Sequence, residues 1–220
     1  MKALKFLSFS MAIFMIGCTS FLLPEPAPAN LVYRLGVTQQ SIPKSQKAVI
    51  IRVDRPKASS FLQGKDLIVS FSDLRLASVE QAQWEESIPD MVQNTFVNLL
   101  GNREGLIGVL PSSGVRSDIR ISITIKRFEA YFDNGKSNAP LIIVHLNSTV
   151  SNASDRAFIG THDTRVVERS KGIEVSSIVE SINNSNTKAI KDIINWLDNP
   201  EIYNKLTFAT KIIRCYNILI

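Results

Sequence analysis

The sequence predicts an α+β domain in which a mostly antiparallel sheet carries two main helices packed on one face. In the stretch DIRISITIKRFEAYF, isoleucine alternates with polar residues, a pattern typical of a long strand with one buried face. Two other stretches, SIPDMVQNTFVNLLGNR and GIEVSSIVESINNSNTKAIKDIINWLDN, space their apolar residues at helical intervals. Runs of strands broken by two separate helices favour the α+β class.

The chain begins with a segment typical of an export signal. Lys2 and Lys5 precede a mostly apolar run over residues 6–16. That run is shorter than the roughly 20 residues that a membrane-spanning helix needs. A polar, extended stretch, PEPAPAN, follows in place of a stop-transfer pattern. We therefore predict that residues 1–17 are a signal peptide.

The end of this segment resembles a lipid attachment site. The string Met15-Ile16-Gly17-Cys18 is similar to the bacterial lipobox, in which an apolar residue and a small one precede an obligatory cysteine. The resemblance implies that the Cys18 thiol takes a diacylglycerol as a thioether and that the new amino terminus is acylated. Several acyl chains anchor a protein stably, whereas one binds reversibly. The alternative is a plain secretory signal with an incidental cysteine.

Cysteine count and charge exclude several classes of function. The two cysteines, Cys18 and Cys215, support neither a zinc site nor a disulfide framework, and no cofactor is predicted beyond the acyl groups. Loss of Lys2 and Lys5 with the signal lowers the basic residues from 25 to 23, against 20 acidic ones, so the mature charge is +3. This small excess is spread along the chain, which argues against nucleic-acid binding.

The mature chain divides into a tether, one domain and a tail. Residues 18–30 contain three closely spaced prolines, which favour an extended spacer. Residues 31–199 have a length suited to a single domain. Residues 200–220 form a C-terminal tail whose role stays open.

Short apolar stretches predict the first strands and a helix. The strand candidates are LVYRLGV, KAVIIRVDRP, the run KDLIVSFSDLRLASVEQAQW with a hairpin near Ser72 and Asp73, and GLIGVLPSSG. The helix has signals at both ends: Ser87 can cap its start, Asp90 favours its first turn, and Gly101 is placed to stop it. Its apolar residues are Ile88, Val92, Phe96, Leu99 and Leu100.

The second half of the chain predicts three neighbouring antiparallel strands and a closing helix. DIRISITIKRFEAYF is followed by an Asn-Gly turn signal, so LIIVHLNSTVSN should return beside it as a hairpin. RAFIGTHDTRVVERS is the third member. The closing helix has one apolar stripe, formed by Val175, Ile178, Val179, Ile182, Ala189, Ile190, Ile193, Ile194 and Leu197.

Catalytic motifs are scarce. His145 and His162 lie in predicted strands, and the pair His162-Asp163 suggests a general base, although a polar place on the wet face of a sheet is the simpler interpretation. No nucleophile elbow and no phosphate-binding glycine loop occurs. The acidic residues that show no paired-carboxylate arrangement are Glu85, Glu86 and Glu129. The sequence therefore does not predict an enzyme.

The order of these stretches resembles the ABC-type transport auxiliary lipoproteins, over residues 31–197. The most specific parts of the resemblance are Trp84 with Pro89 before the first helix, and the string Arg127-Phe128-Glu129-Ala130. Core packing is the simplest interpretation of Trp84.

This resemblance implies a role in lipid transport. Members of the family accompany mammalian-cell-entry (MCE) systems, in which an MCE-domain protein forms the conduit and an ATPase with its permease supplies the energy. The expected subunit is lipid-anchored on the periplasmic face of the outer membrane, where it docks the conduit, and a homo-oligomeric ring is compatible with that role. A structural or assembly lipoprotein of the envelope and a periplasmic hydrolase are the alternatives.

Thr19 bears on the choice of membrane. In the well-studied lipoprotein sorting rule, Asp directly after the lipidated cysteine retains the protein in the inner membrane, and most other residues permit release. Thr19 therefore predicts the outer membrane.

Overall fold

The computed structural model describes residues 30–36, 48–202 and 204–206. In these ranges the strands are β1 Leu31–Tyr33, β2 Val49–Val53, β3 Lys57–Ala58, β4 Asp66–Phe71, β5 Leu76–Trp84, β6 Leu106–Val109, β7 Ile119–Phe132, β8 Leu141–Asn152 and β9 Phe158–Arg169. The two main helices are α1 Ile88–Gly101 and α2 Val175–Leu197. All nine strands join one sheet.

Strand β7 is the centre of this sheet. One of its edges pairs along almost its full length with β8, which in turn pairs with β9. Its other edge pairs successively with β2, β3 and β4, each in the parallel direction. Strand β6 extends the sheet beyond β2, and β5 and β1 extend it beyond β4.

The prediction of an α+β fold is confirmed, but the prediction of a mostly antiparallel sheet is wrong. The sheet is mixed, with five of its eight strand pairs parallel. The three antiparallel pairs join strands that are consecutive in the chain, and short turns leave a signal in the sequence. Parallel pairs need crossover connections between distant segments, and no local pattern marks those.

The three long strands at the end of the sheet follow the sequence prediction. The alternating isoleucines of β7 are at most 2% exposed: Ile119, Ile121, Ile123 and Ile125. After β7, Gly135 takes a φ of 79°, a left-handed conformation that glycine adopts without steric cost, and the chain returns as β8. A register shift between Ile125 and Arg127 interrupts the β7–β8 ladder.

Both helices pack on the same face of the sheet. Gly108 of β6 lies against α1, and Gly160 of β9 lies against Trp196 of α2. The register through β2, β7 and β8 places these two glycines on one side. The apolar stripes of both helices therefore enter a single core between helices and sheet.

The ends of α1 follow the predicted signals with one difference. The Ser87 hydroxyl accepts a hydrogen bond from the backbone N–H of Asp90 at 3.3 Å, as expected of a cap. Gly101 is the last helical residue, but Asn102 caps the helix with a φ of −89°. The helix therefore ends without a left-handed glycine.

The described part of the tail packs on the domain. Residues 200–202 and 204–206 are helical. Leu206 is fully buried in the core, and Ile202 packs against it. Cys215 and residues 1–29, including the tether up to residue 29, lie outside the described residues.

Candidate functional site

Trp84 is a core residue. It is 1% exposed, and its ring meets that of Phe128 edge to face at a centroid distance of 6.3 Å and an interplanar angle of 72°. The buried indole Nε1 has no hydrogen-bond partner. This confirms core packing as the role of Trp84.

The string Arg127-Phe128-Glu129-Ala130 is also structural. Phe128 and Ala130 are buried in the core below the helices. The carboxylate of Glu129, which is 5% exposed, accepts a hydrogen bond from Nε of Arg127 at 2.6 Å. The Arg127 guanidinium also lies over the ring of Tyr131, 5.6 Å from its centroid. These contacts hold β7 in place just after its register shift.

The segment between Trp84 and α1 is held by ion pairs. Glu85 accepts hydrogen bonds from the Arg34 guanidinium, which lowers the pKa of the Glu85 carboxyl and raises the pKa of Arg34. Arg55 donates to Asp90 at 2.6 Å and likewise lowers the pKa of that carboxyl. These pairs are exposed, so they position the segment more than they stabilise it.

Two surface clefts of the described domain are lined largely by charged and polar side chains. A cleft of about 430 Å³ lies beside α1 and includes Arg34, Glu85, Glu86 and Asn94 in its wall. A neighbouring cleft of about 460 Å³ includes Lys65, Ser87 and Asp90. Ligand pockets for apolar molecules are lined mainly by hydrophobic side chains. Neither cleft has such walls.

His145 lies on the face of the sheet that points away from the helices. Its Nε2 is 2.9 Å from the nearer carboxylate oxygen of Asp163, and Asn147 donates to the other oxygen at 3.2 Å. The hydrogen bond with His145 lowers the pKa of Asp163. For His145 the interpretation as a polar residue on the open face is correct.

His162 lies on the opposite face, under α2. Its ring stacks on Trp196 at a centroid distance of 5.2 Å, and its Nε2 is 2.8 Å from Asp192. The Thr164 hydroxyl also donates to Asp192 at 2.7 Å, and these two bonds lower the pKa of that carboxyl. For His162 the interpretation as a polar residue on the wet face is correct only in part: its side chain is 27% exposed, but it lies on the face that carries the helices, beside α2.

The candidate pair His162-Asp163 does not form in the structure. Adjacent strand residues point to opposite faces, so His162 and Asp163 each take a different partner. Each histidine ring is paired with a carboxylate, that of Asp163 for His145 and that of Asp192 for His162, and among the described residues no hydroxyl or thiol donates to either ring. The geometry does not form a nucleophile–histidine pair.

Two further features are absent from the described ranges. No group of three or more His, Cys, Asp or Glu side chains is placed there to hold a metal ion. Within the same ranges, no helix has the length and apolarity needed to cross a membrane. The predicted lipidation residue Cys18 and the sorting residue Thr19 lie outside the described residues.

Sequence reasoning missed one site. Arg52, Arg116, Arg120 and Arg156 line a common pocket of about 290 Å³. They come from three separate stretches of the chain, so no basic run reveals them. Arg52 and Arg120 each lie between apolar neighbours in the sequences of β2 and β7, which predicts that both side chains point away from the core. That pattern does not predict that the two arginines share a site.

The described residues form one α+β domain, and sequence comparison assigns its family. Residues 33–193 match the profile of the ABC-type transport auxiliary lipoprotein component. The chain therefore belongs to the family of ABC-type transport auxiliary lipoproteins. No functionally curated protein matches the sequence.

Solved structures show the same fold. A protein of Xanthomonas campestris is similar with a TM-score of 0.67 at 18% identity, over 76% of this chain and 93% of that one. An uncharacterised protein is similar with a TM-score of 0.61 at 12% identity, over 77% of this chain and 99% of that one. At these identities the likeness extends to the fold alone.

Proposed function

We propose that this chain is the auxiliary lipoprotein of an MCE-type ABC transport system that moves lipid between the inner and outer membranes. In this proposal the acylated Cys18 anchors the chain, Thr19 directs it to the periplasmic face of the outer membrane, and the domain docks the MCE-domain conduit there. The observation that carries the proposal is the family match over residues 33–193, joined to the lipobox string that ends at Cys18.

The surface chemistry supports docking over carriage of lipid. Enclosing an acyl chain requires a mostly hydrophobic chamber. Four surface cavities of the described domain, of about 290 to 460 Å³, have mainly charged and polar residues in their walls. A domain of this kind contributes a surface to a complex, while the MCE-domain protein supplies the path for lipid.

Affinity purification after cross-linking tests the partnership. The full tagged chain, expressed in its own host, is expected to retain the MCE-domain protein, and through it the permease and ATPase. A tagged outer-membrane lipoprotein of another family is the control for general envelope capture. Recovery of the MCE-domain protein at the level of that control refutes the partnership. If deletion of the gene for this chain then leaves lipid transport intact, the alternative of a structural envelope lipoprotein is favoured.

Membrane fractionation tests the anchor and its sorting. The wild-type chain is expected with outer-membrane markers, and Cys18→Ser is expected to leave an unprocessed or soluble species. Thr19→Asp is expected to move the protein to inner-membrane fractions where the sorting rule applies. Intact-mass analysis that shows an unmodified Cys18 in the mature wild-type protein contradicts the anchor.

A further inference from the structure

The described surface contains a concentration of arginine that neither the fold nor the family explains. Arg52, Arg116, Arg120 and Arg156 line one pocket of about 290 Å³ near the amino end of β7. Arg52 and Arg120 lie on the face that points away from the helices, since their neighbours Ile51, Val53 and Ile119 are buried on the other face.

The register makes this concentration energetically unfavourable by itself. Arg52 and Arg120 are direct partners on the adjacent parallel strands β2 and β7. Like charges placed side by side in a sheet destabilise it. One carboxylate, that of Asp54, accepts hydrogen bonds from Nε of both arginines, at 3.1 Å in the case of Arg52. Asp54 therefore offsets part of the repulsion and holds both guanidinium groups in one place.

The other two arginines come from the loops that border this row. Arg116 precedes β7, and Arg156 belongs to the turn between β8 and β9. Arg156 has a φ of 63°, a left-handed conformation that costs a residue with a Cβ some free energy and is more often given to glycine or asparagine. In the same turn, Asp155 accepts a hydrogen bond from the backbone N–H of Ala157 at 2.9 Å.

Two exposed apolar side chains lie in the wall of the pocket or in the row that extends from it. Val115, in the wall of the pocket, is 49% exposed. Phe158 is 68% exposed and lies in the same cross-strand row, since Arg120 pairs with Ser151 and Ser151 with Phe158. A cationic pocket with exposed apolar neighbours suits an anion that is part of an amphiphile as well as a free anion.

We propose that this arginine pocket binds a phosphate group. Guanidinium is planar, always charged, and donates paired hydrogen bonds that match the oxygens of phosphate. Arg52 and Arg120 form the floor, held by Asp54, and Arg116 and Arg156 approach from the two loops. The bound group is either free phosphate or the phosphate of a lipid headgroup, with Val115 and Phe158 beside the acyl portion in the second case. This proposal does not depend on the MCE system.

Calorimetric titration of the full lipidated chain in non-ionic detergent micelles tests the site. One arm adds inorganic phosphate, and a second adds micelles doped with phosphatidylglycerol. The double variant Arg116→Gln with Arg156→Gln is expected to weaken binding about tenfold or more, because two charge-assisted contacts are lost. The matched control is Arg75→Gln with Lys136→Gln, which removes the same charge beside Phe71, at the other end of β7.

The two arms separate the sources of phosphate. Binding of inorganic phosphate that only the pocket variant weakens supports a site for the free anion. Binding of the doped micelles alone, again weakened only by the pocket variant, supports a lipid headgroup site. Absence of binding in both arms, or equal weakening by pocket and control variants, refutes the proposal. Melting temperatures of both variants confirm folding, and Arg156→Gln alone repeats the test if the double variant is unstable.

Discussion

Replacement of Gly108 by alanine is expected to force α1 away from the sheet. A methyl group on Gly108 would lie 3.0 Å from Cδ1 and 3.1 Å from Cβ of Leu100, and 3.1 Å from Cα of Val97. Carbon atoms in good contact are about 3.5–4.0 Å apart. The Leu100 side chain can rotate its tip, but the Cα of Val97 belongs to the helix backbone. Relief of the clash therefore requires the whole helix to shift by several tenths of an ångström.

The expected cost follows from the way cores respond to added volume. Extra methyl groups in a packed core destabilise a protein by about 1–3 kcal/mol. In a domain of this size each 1 kcal/mol lowers the melting temperature by about 2–4 °C, so the loss should be roughly 2–12 °C. Thermal and denaturant unfolding of the full chain, followed by circular dichroism, measures both quantities.

Gly101→Ala is the matched control, because nothing beyond its chain neighbours and its own helix backbone lies within 4 Å of a methyl group at that position. Alanine is also favoured over glycine in a helix, by about 0.5–1 kcal/mol in its interior. The control is therefore expected to unfold at the wild-type temperature or slightly above it. If Gly108→Ala is as stable as Gly101→Ala, α1 does not pack on β6 as closely as described, and the reasoning is refuted.

Three other substitutions test separate contacts. Ser87→Ala removes the cap of α1 and should cost about 0.5–2 kcal/mol in denaturant unfolding, whereas Ser87→Thr should cost less because the hydroxyl remains. Phe128→Ala should cost about 3–5 kcal/mol, since the ring is buried, and a loss below 1 kcal/mol would contradict its place in the core. The pKa of Asp192 is lowered in the folded state by hydrogen bonds from Thr164 and His162, so its contribution is present above the unfolded value of 3.8 and is lost as pH falls through the folded value. The stability difference between wild type and Asp192→Asn should therefore shrink in acid titration below pH 3.8, and a constant difference would contradict the assignment.

The sequence by itself predicted the local elements, because periodicity and turn chemistry are written in neighbouring residues. The alternating isoleucines predicted β7, the Asn-Gly turn predicted its hairpin with β8, and Ser87 predicted the start of α1. The motif order also predicted the family, which the match over residues 33–193 confirms. The lipobox at Cys18 and the sorting residue Thr19 stay predictions.

Only the tertiary structure decided which distant segments meet. Strands β2, β3 and β4 pair in parallel along one edge of β7, an arrangement set by burial of their apolar residues in or against one core and not by any turn. The same long-range pairing sends His162 under α2 and leaves His145 on the other face, although both occupy similar strand patterns in the sequence. It also brings Arg52 beside Arg120. Side-chain direction follows from a two-residue period, but the neighbour across the strand depends on packing energy summed over the whole core.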